Sequence, residues 1–170
     1  MTDLATALTT YFSAEKQAML PIIGIGLLAT VAAGWLLFSA GALRGMAVPL
    51  GLVGVLELGI GIAVYARTDG QVAALVDERA RDSEAMVKVE STRMATVMNT
   101  FTVIKAVEVA LIALGAGLAW SLSRSDFWFA FGVGLVMQAT VMLVFDLFAE
   151  RRAGPYVAAL THAQPSSPGQ

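Results

Sequence analysis

Four side chains within the long apolar stretches of this chain could hold a proton or a cation: Glu57, Lys105, Glu108 and Gln138. Counted inward from Ala66 and Asn99, where apolar sequence gives way to polar, Glu57 and Glu108 are each nine residues deep. That is about 13 Å along a helix rising 1.5 Å per residue. Lys105 precedes Glu108 by three positions, a spacing at which side chains meet on one helix face. Gln138 falls at similar depth in a further stretch, with Asp146 nearer its polar end. One Lys cannot neutralise two carboxylates. Like charges in a poorly solvated place favour the neutral acid at one of them, which makes a group able to exchange its proton for a cationic ligand. The structural alternative is an ion pair of Glu57 with Lys105 and a second carboxyl buried neutral. Asp146 is expected to be an interfacial residue that snorkels to water.

Other chemistries lack their residues. There is no Cys, hence no disulfide, thiolate metal site or dithiol redox chemistry. A single histidine, His162, cannot supply paired axial ligands to a haem. No nucleophile–base pair, His-Glu metal spacing or phosphate-cradling Gly loop is present, so the expectation is a non-enzyme without cofactor or metal. Met86, Met94 and Met98 have the spacing of an apolar helix face rather than a copper site. A net charge of −2 argues against nucleic acid as a partner.

The elements that must position these groups are membrane helices. Hydrophobic residues make up 57% of the chain and charged ones 14%, with a mean hydropathy of +0.72. A soluble domain is about 45–50% apolar and about 25% charged. Four apolar stretches, Met19–Ala40, Met46–Ala66, Thr100–Trp120 and Phe127–Phe148, each match a hydrocarbon core of about 30 Å. The first reads as a span rather than a cleaved signal, because it is long and follows a segment containing Asp3 and Glu15. The connections Gly41–Gly45 and Ser121–Asp126 are short enough to make antiparallel pairs. One side then holds Lys16, Arg67, Arg79, Arg81, Lys88, Arg93, Arg151 and Arg152, and the other only Arg44 and Arg124. The positive-inside rule assigns the first side, with both termini, to the cytoplasm of a bacterial-type inner membrane. Trp35, Trp120 and Trp128 mark the opposite interface.

Between spans two and three, residues 67–98 lack a Gly or Pro from Gln71 onward and should be helical. A single rod cannot return to the membrane, so a break is expected at Arg81-Asp82-Ser83-Glu84, with Asp or Ser as N-cap. The arms form an amphipathic cytoplasmic hairpin. Ala80, Val87, Met94 and Phe101 recur every seven residues, but Ser83 and Glu90 interrupt a coiled-coil seam.

The expected fold is therefore all-α, a polytopic membrane protein built as a four-transmembrane-helix bundle, with the hairpin extending spans two and three. Residues 1–17 form an amphipathic segment, with Thr2 or Asp3 as N-cap, that should lie along the membrane surface. The transmembrane domain occupies 18–163, and 164–170 form a disordered tail. An offset of 85 residues superposes Trp35 on Trp120, Leu50 on Leu135 and Arg67 on Arg152, which points to an internal duplication. Ladders of small residues (Gly26, Thr30, Gly34; Gly51, Gly59, Ala63; Ala130, Gly134) should bring helices of one chain together.

Two functions fit this pattern. One is a proton- or cation-linked carrier or channel working as a homo-oligomer, since four helices enclose little volume. The other is a non-catalytic membrane subunit whose hairpin binds a partner. The lipid bilayer is a partner in either case.

Overall fold

The computed structural model describes residues 3–39 and 41–164. Thr2, Ala40 and most of the 164–170 tail lie outside them, so the expectations attached to those residues have no structural counterpart. Among the described residues there are four α-helices and no strand: α1 (Leu4–Phe38), α2 (Ala47–Arg81), α3 (Ser83–Ser121) and α4 (Asp126–Ala163). All four are long and apolar enough to cross a membrane.

The break between α2 and α3 falls where the polar run predicts it. Asp82 is extended (φ −150°, ψ 92°), and its carboxylate accepts from the Ala85 N–H at 2.9 Å. This gives one orphan donor of the new helix a partner. Glycine sets the approach at the other end. A 3₁₀ turn, Ala42–Met46, leads into α2, and a Cβ on Gly45 would lie 1.9 Å from the Phe127 carbonyl oxygen of α4. Only glycine permits that contact.

α1 packs along α2 and α3 along α4, while α2 and α3 touch sparingly. The arms 67–81 and 84–98 are thus not a self-packed hairpin. Each lies in a bundle completed by α1 and α4. The N-terminal segment belongs to this bundle as well. Instead of a separate surface helix, α1 runs unbroken from Leu4 to Phe38, and Leu4, Leu8, Tyr11 and Phe12 pack with Leu75, Met86, Val87, Met94, Tyr156 and Leu160. Burying that apolar face against three helices accounts for the uninterrupted continuation.

The other half of the molecule has the opposite pattern. Its buried cluster has few residues, three alanines (Ala29, Ala33, Ala47) with Leu36 and Leu50, while Leu28, Val31, Trp35, Leu52 and Trp120 face outward. Gly26 and Gly54 meet at the α1–α2 crossing, and Gly115 and Gly132 at the α3–α4 crossing. Gly34 and Gly59 of the expected ladders have open space over their Cα atoms. At the 85-residue offset Gly26 falls on Leu111 and Gly54 on Ala139, so the tight crossings of the two pairs do not superpose.

Candidate functional site

Glu57 is 1% exposed, held against the α1 crossing where a Cβ on Gly26 would lie 2.8 Å from its own Cβ. Gln138 Nε2 donates to Glu57 Oε2 at 3.2 Å. These two sequence candidates are brought together. Glu108 is also buried, but its carboxyl faces Asp146 of α4. Neither Glu108 oxygen, nor Asp146 Oδ2, has a hydrogen-bond partner.

Lys105 is not the counter-ion of either glutamate. It pairs with Glu150 on α4 in a half-buried contact and lies within electrostatic reach of Asp146. One turn shallower than Glu108, its flexible stem extends towards the polar end of the bundle, where Glu150 is better solvated. The Glu57–Lys105 pair of the structural alternative is therefore replaced by Glu57–Gln138 and Lys105–Glu150. Asp146 is likewise no snorkelling residue, because one of its oxygens is buried beside Glu108.

A cavity of about 200 Å³ lies between all four helices, with Glu57 and Asp146 on its wall. It follows α1 from Tyr11 to Ile22, a run of about 16 Å at 1.5 Å per residue. Glu57, Ile22 and Met142 bound its inner end; Tyr11, Glu15 and Arg152 bound the end nearer the polar half. Burial pushes the Glu15 carboxyl above the usual range despite the opposing pull of Arg67, Arg93 and Arg152. Burial and then Glu15 push the neighbouring Tyr11 hydroxyl up to about 12. Among the described residues no three His, Asp or Glu side chains converge as metal ligands.

A second polar cluster, missed at the level of sequence, lies in the polar half. Glu90, which reads as an interruption of the heptad, is 2% exposed. Arg93 donates to it through two nitrogens at 2.7 and 2.6 Å, and the Tyr156 hydroxyl donates at 3.0 Å. Tyr11 stacks on Tyr156 with ring centroids 5.0 Å apart, and the Arg93 guanidinium lies over the Phe12 ring. The i, i+3 spacing of Glu90 and Arg93 was the only signal in the chain that could have found it.

Comparison with known proteins leaves this geometry to stand alone: no family model, curated protein or solved structure matches the chain.

Proposed function

We propose that this chain is a small inner-membrane carrier or channel linked to protons or cations, working as a homo-oligomer, with both termini in the cytoplasm. The observation that carries this reading is the acidic cavity between the four helices, walled by Glu57 and Asp146. Behind Asp146, Glu108 offers two oxygens without a donor. Two facing carboxyls in an apolar bundle are reconciled by a shared proton or by a cation, and either can be exchanged for the other. Gln138 orients Glu57 and offers its amide to the charged form. The residues that hold ligand or proton are then Glu57, Asp146 and Glu108; Lys105, engaged by Glu150, tunes the local field.

Insertion into the membrane is supported by large apolar side chains pointing outward around a thin, alanine-rich core. This is the arrangement expected where lipid covers the bundle. Exposed Trp35, Trp120 and Trp128 at one end, opposite the arginine-rich end, support the cytoplasmic placement of the termini. Labelling of single-Cys variants with an impermeant thiol reagent should mark Gly41→Cys and Ser125→Cys from outside the cell. Marking of Ser83→Cys from outside would overturn the orientation.

Infrared difference spectroscopy in membranes tests the site. A protonated carboxyl band should titrate or respond to cations, and should shift or vanish in Glu57→Gln or Glu108→Gln. A band unmoved by both pH and cations, with transport intact in both variants, would remove the carrier reading. The alternative of a partner-binding hairpin is less favoured, because Leu75, Met86, Val87 and Met94 of its arms are buried within the chain's own bundle, leaving only scattered apolar residues such as Val76 and Val89 exposed.

A further inference from the structure

The walls of the cavity say which cations suit it. Apart from its carboxyls and Arg152 at the polar end they are apolar or aromatic, with Met19, Ile22, Ile60, Phe101, Met142 and Phe145 lining the space around Glu57 and Asp146. Alkali and divalent ions leaving water need several converging oxygens, about six to eight for calcium. Here the oxygens of Glu57, Asp146, Glu15 and Tyr11 are strung along the cavity rather than gathered at one point, and helical backbone carbonyls are engaged in the helices. A bare ion would exchange a full hydration shell for one or two carboxylate oxygens.

An organic cation meets these walls differently. Its apolar part would be buried against aliphatic side chains, and its charge would face a carboxylate and the rings of Phe101 and Phe145. At about 200 Å³ the space is below the range of about 300–1,000 Å³ typical of sites for drug-sized ligands. The ligand must be small. We propose that the cavity takes a small organic monocation, a primary amine or quaternary ammonium carrying one ring or a short alkyl chain, in preference to alkali or divalent ions. This inference rests on the carrier reading and names its substrate class.

Two independent features point to a ligand. One is the space between the four helices itself, and the other is Asp146 on its wall, whose buried Oδ2 has no donor and which faces Glu108. Charge balance agrees. Facing the cavity are Glu15 and Tyr11 from α1, Glu57 from α2, and Asp146 and Arg152 from α4. From α3, Glu108 stands behind Asp146 and Lys105 is held by Glu150. Three cavity carboxyls thus face one arginine, and a monocation can enter as a proton leaves.

The test is isothermal titration calorimetry on the full chain in nanodiscs, with empty nanodiscs as baseline and buffers of differing ionisation enthalpy to count protons. The ligands are phenethylammonium, benzyltrimethylammonium, its neutral isostere neopentylbenzene, and sodium, potassium and magnesium chlorides. Both organic cations should bind and release protons, and Glu57→Gln should weaken them by roughly thirtyfold or more, as expected for loss of a buried charge partner. Ala149 also lines the cavity, and Ala149→Leu narrows the space without replacing a carboxyl. It should weaken the bulkier benzyltrimethylammonium more than phenethylammonium and leave the infrared carboxyl band in place, so the inference remains testable even if Glu57→Gln folds poorly. Equal binding of neopentylbenzene overturns the inference, as does equal weakening of both organic cations by Ala149→Leu. Proton release by the metal chlorides alone overturns it while sparing the carrier reading. A titrating carboxyl band with no binding of any cation does the same. Absence of both binding and a responsive band removes the two together.

Discussion

Glu90 and Glu108 are glutamates of one helix, about 27 Å apart at 1.5 Å per residue, and both are almost fully buried, at 2% and 4% exposure. Their surroundings differ in every other respect. Glu90 has a bidentate guanidinium and a tyrosine hydroxyl, and it sits beside Met94 and Tyr156 of the larger of the two apolar clusters among the described residues. Glu108 faces another carboxyl, that of Asp146 on the cavity wall, without a donor. Full satisfaction makes a buried charge a fastening that holds helices in register, whereas partial satisfaction leaves it open to exchange with a ligand. Burial alone does not distinguish the two roles. Hydrogen-bond accounting does.

The contrast can be broken most forcefully at Arg93. Removing it by Arg93→Ala leaves Glu90 buried with one tyrosine, and should cost about 3–5 kcal/mol. Glu90→Leu should cost much less, because the Arg93 side chain is 34% exposed and can turn to solvent. Unfolding of the full chain in mixed micelles, followed by circular dichroism, compares them; equal losses would contradict the fastening role. In the other region, Glu108→Gln should leave stability within about 1 kcal/mol of the parent, since it removes a charge that no donor satisfies.

The α1–α2 crossing gives the next largest effect. A methyl at Gly26 would lie 2.8 Å from both Glu57 Cβ and the Gly54 carbonyl oxygen, so Gly26→Ala should destabilise by about 1–3 kcal/mol and displace Glu57. Two residues earlier, a Cβ on Gly24 meets nothing within 4 Å. Gly24→Ala should be neutral or stabilising, by up to about 1 kcal/mol from helix propensity. The same loss at both positions would show that the close approach does not hold Glu57.

Lys105→Ala should change stability by about 1 kcal/mol, because both members of the pair with Glu150 remain partly exposed. Its effect belongs to the cavity: without this cation near Asp146, the infrared carboxyl band should titrate at higher pH.

The smallest effect is the pH dependence from Glu15. Burial raises its folded-state pKa above the reference value of 4.5, so between the two values the folded state binds more protons than the unfolded. Its contribution to stability therefore falls as pH rises through that window. Glu15→Gln should flatten this slope, measurable as unfolding midpoints from acid to neutral pH, and an unchanged slope would show that Glu15 is not desolvated at the cavity mouth.

Much of the helical layout is decided by the sequence alone, because apolar runs of membrane length, short polar connections and an Asp-Ser break are local features. The four helices and the Asp82 cap follow from these. Pairing is different, since it depends on which faces meet across helices. Depth counting put Glu57 and Gln138 at one level, and they do meet. The same counting made Lys105 the partner of a glutamate, but α3 packs on α4, and that neighbour supplies Glu150 to the lysine and Asp146 to Glu108. Glu90 looked like a flaw in a heptad until Tyr156 and Arg93 closed around it. The N-terminal segment, amphipathic enough for a membrane surface, became part of α1 because three other helices offered it an apolar face. Periodicity records that a face is apolar or that a charge is deep; only tertiary packing decides what covers the face and what answers the charge.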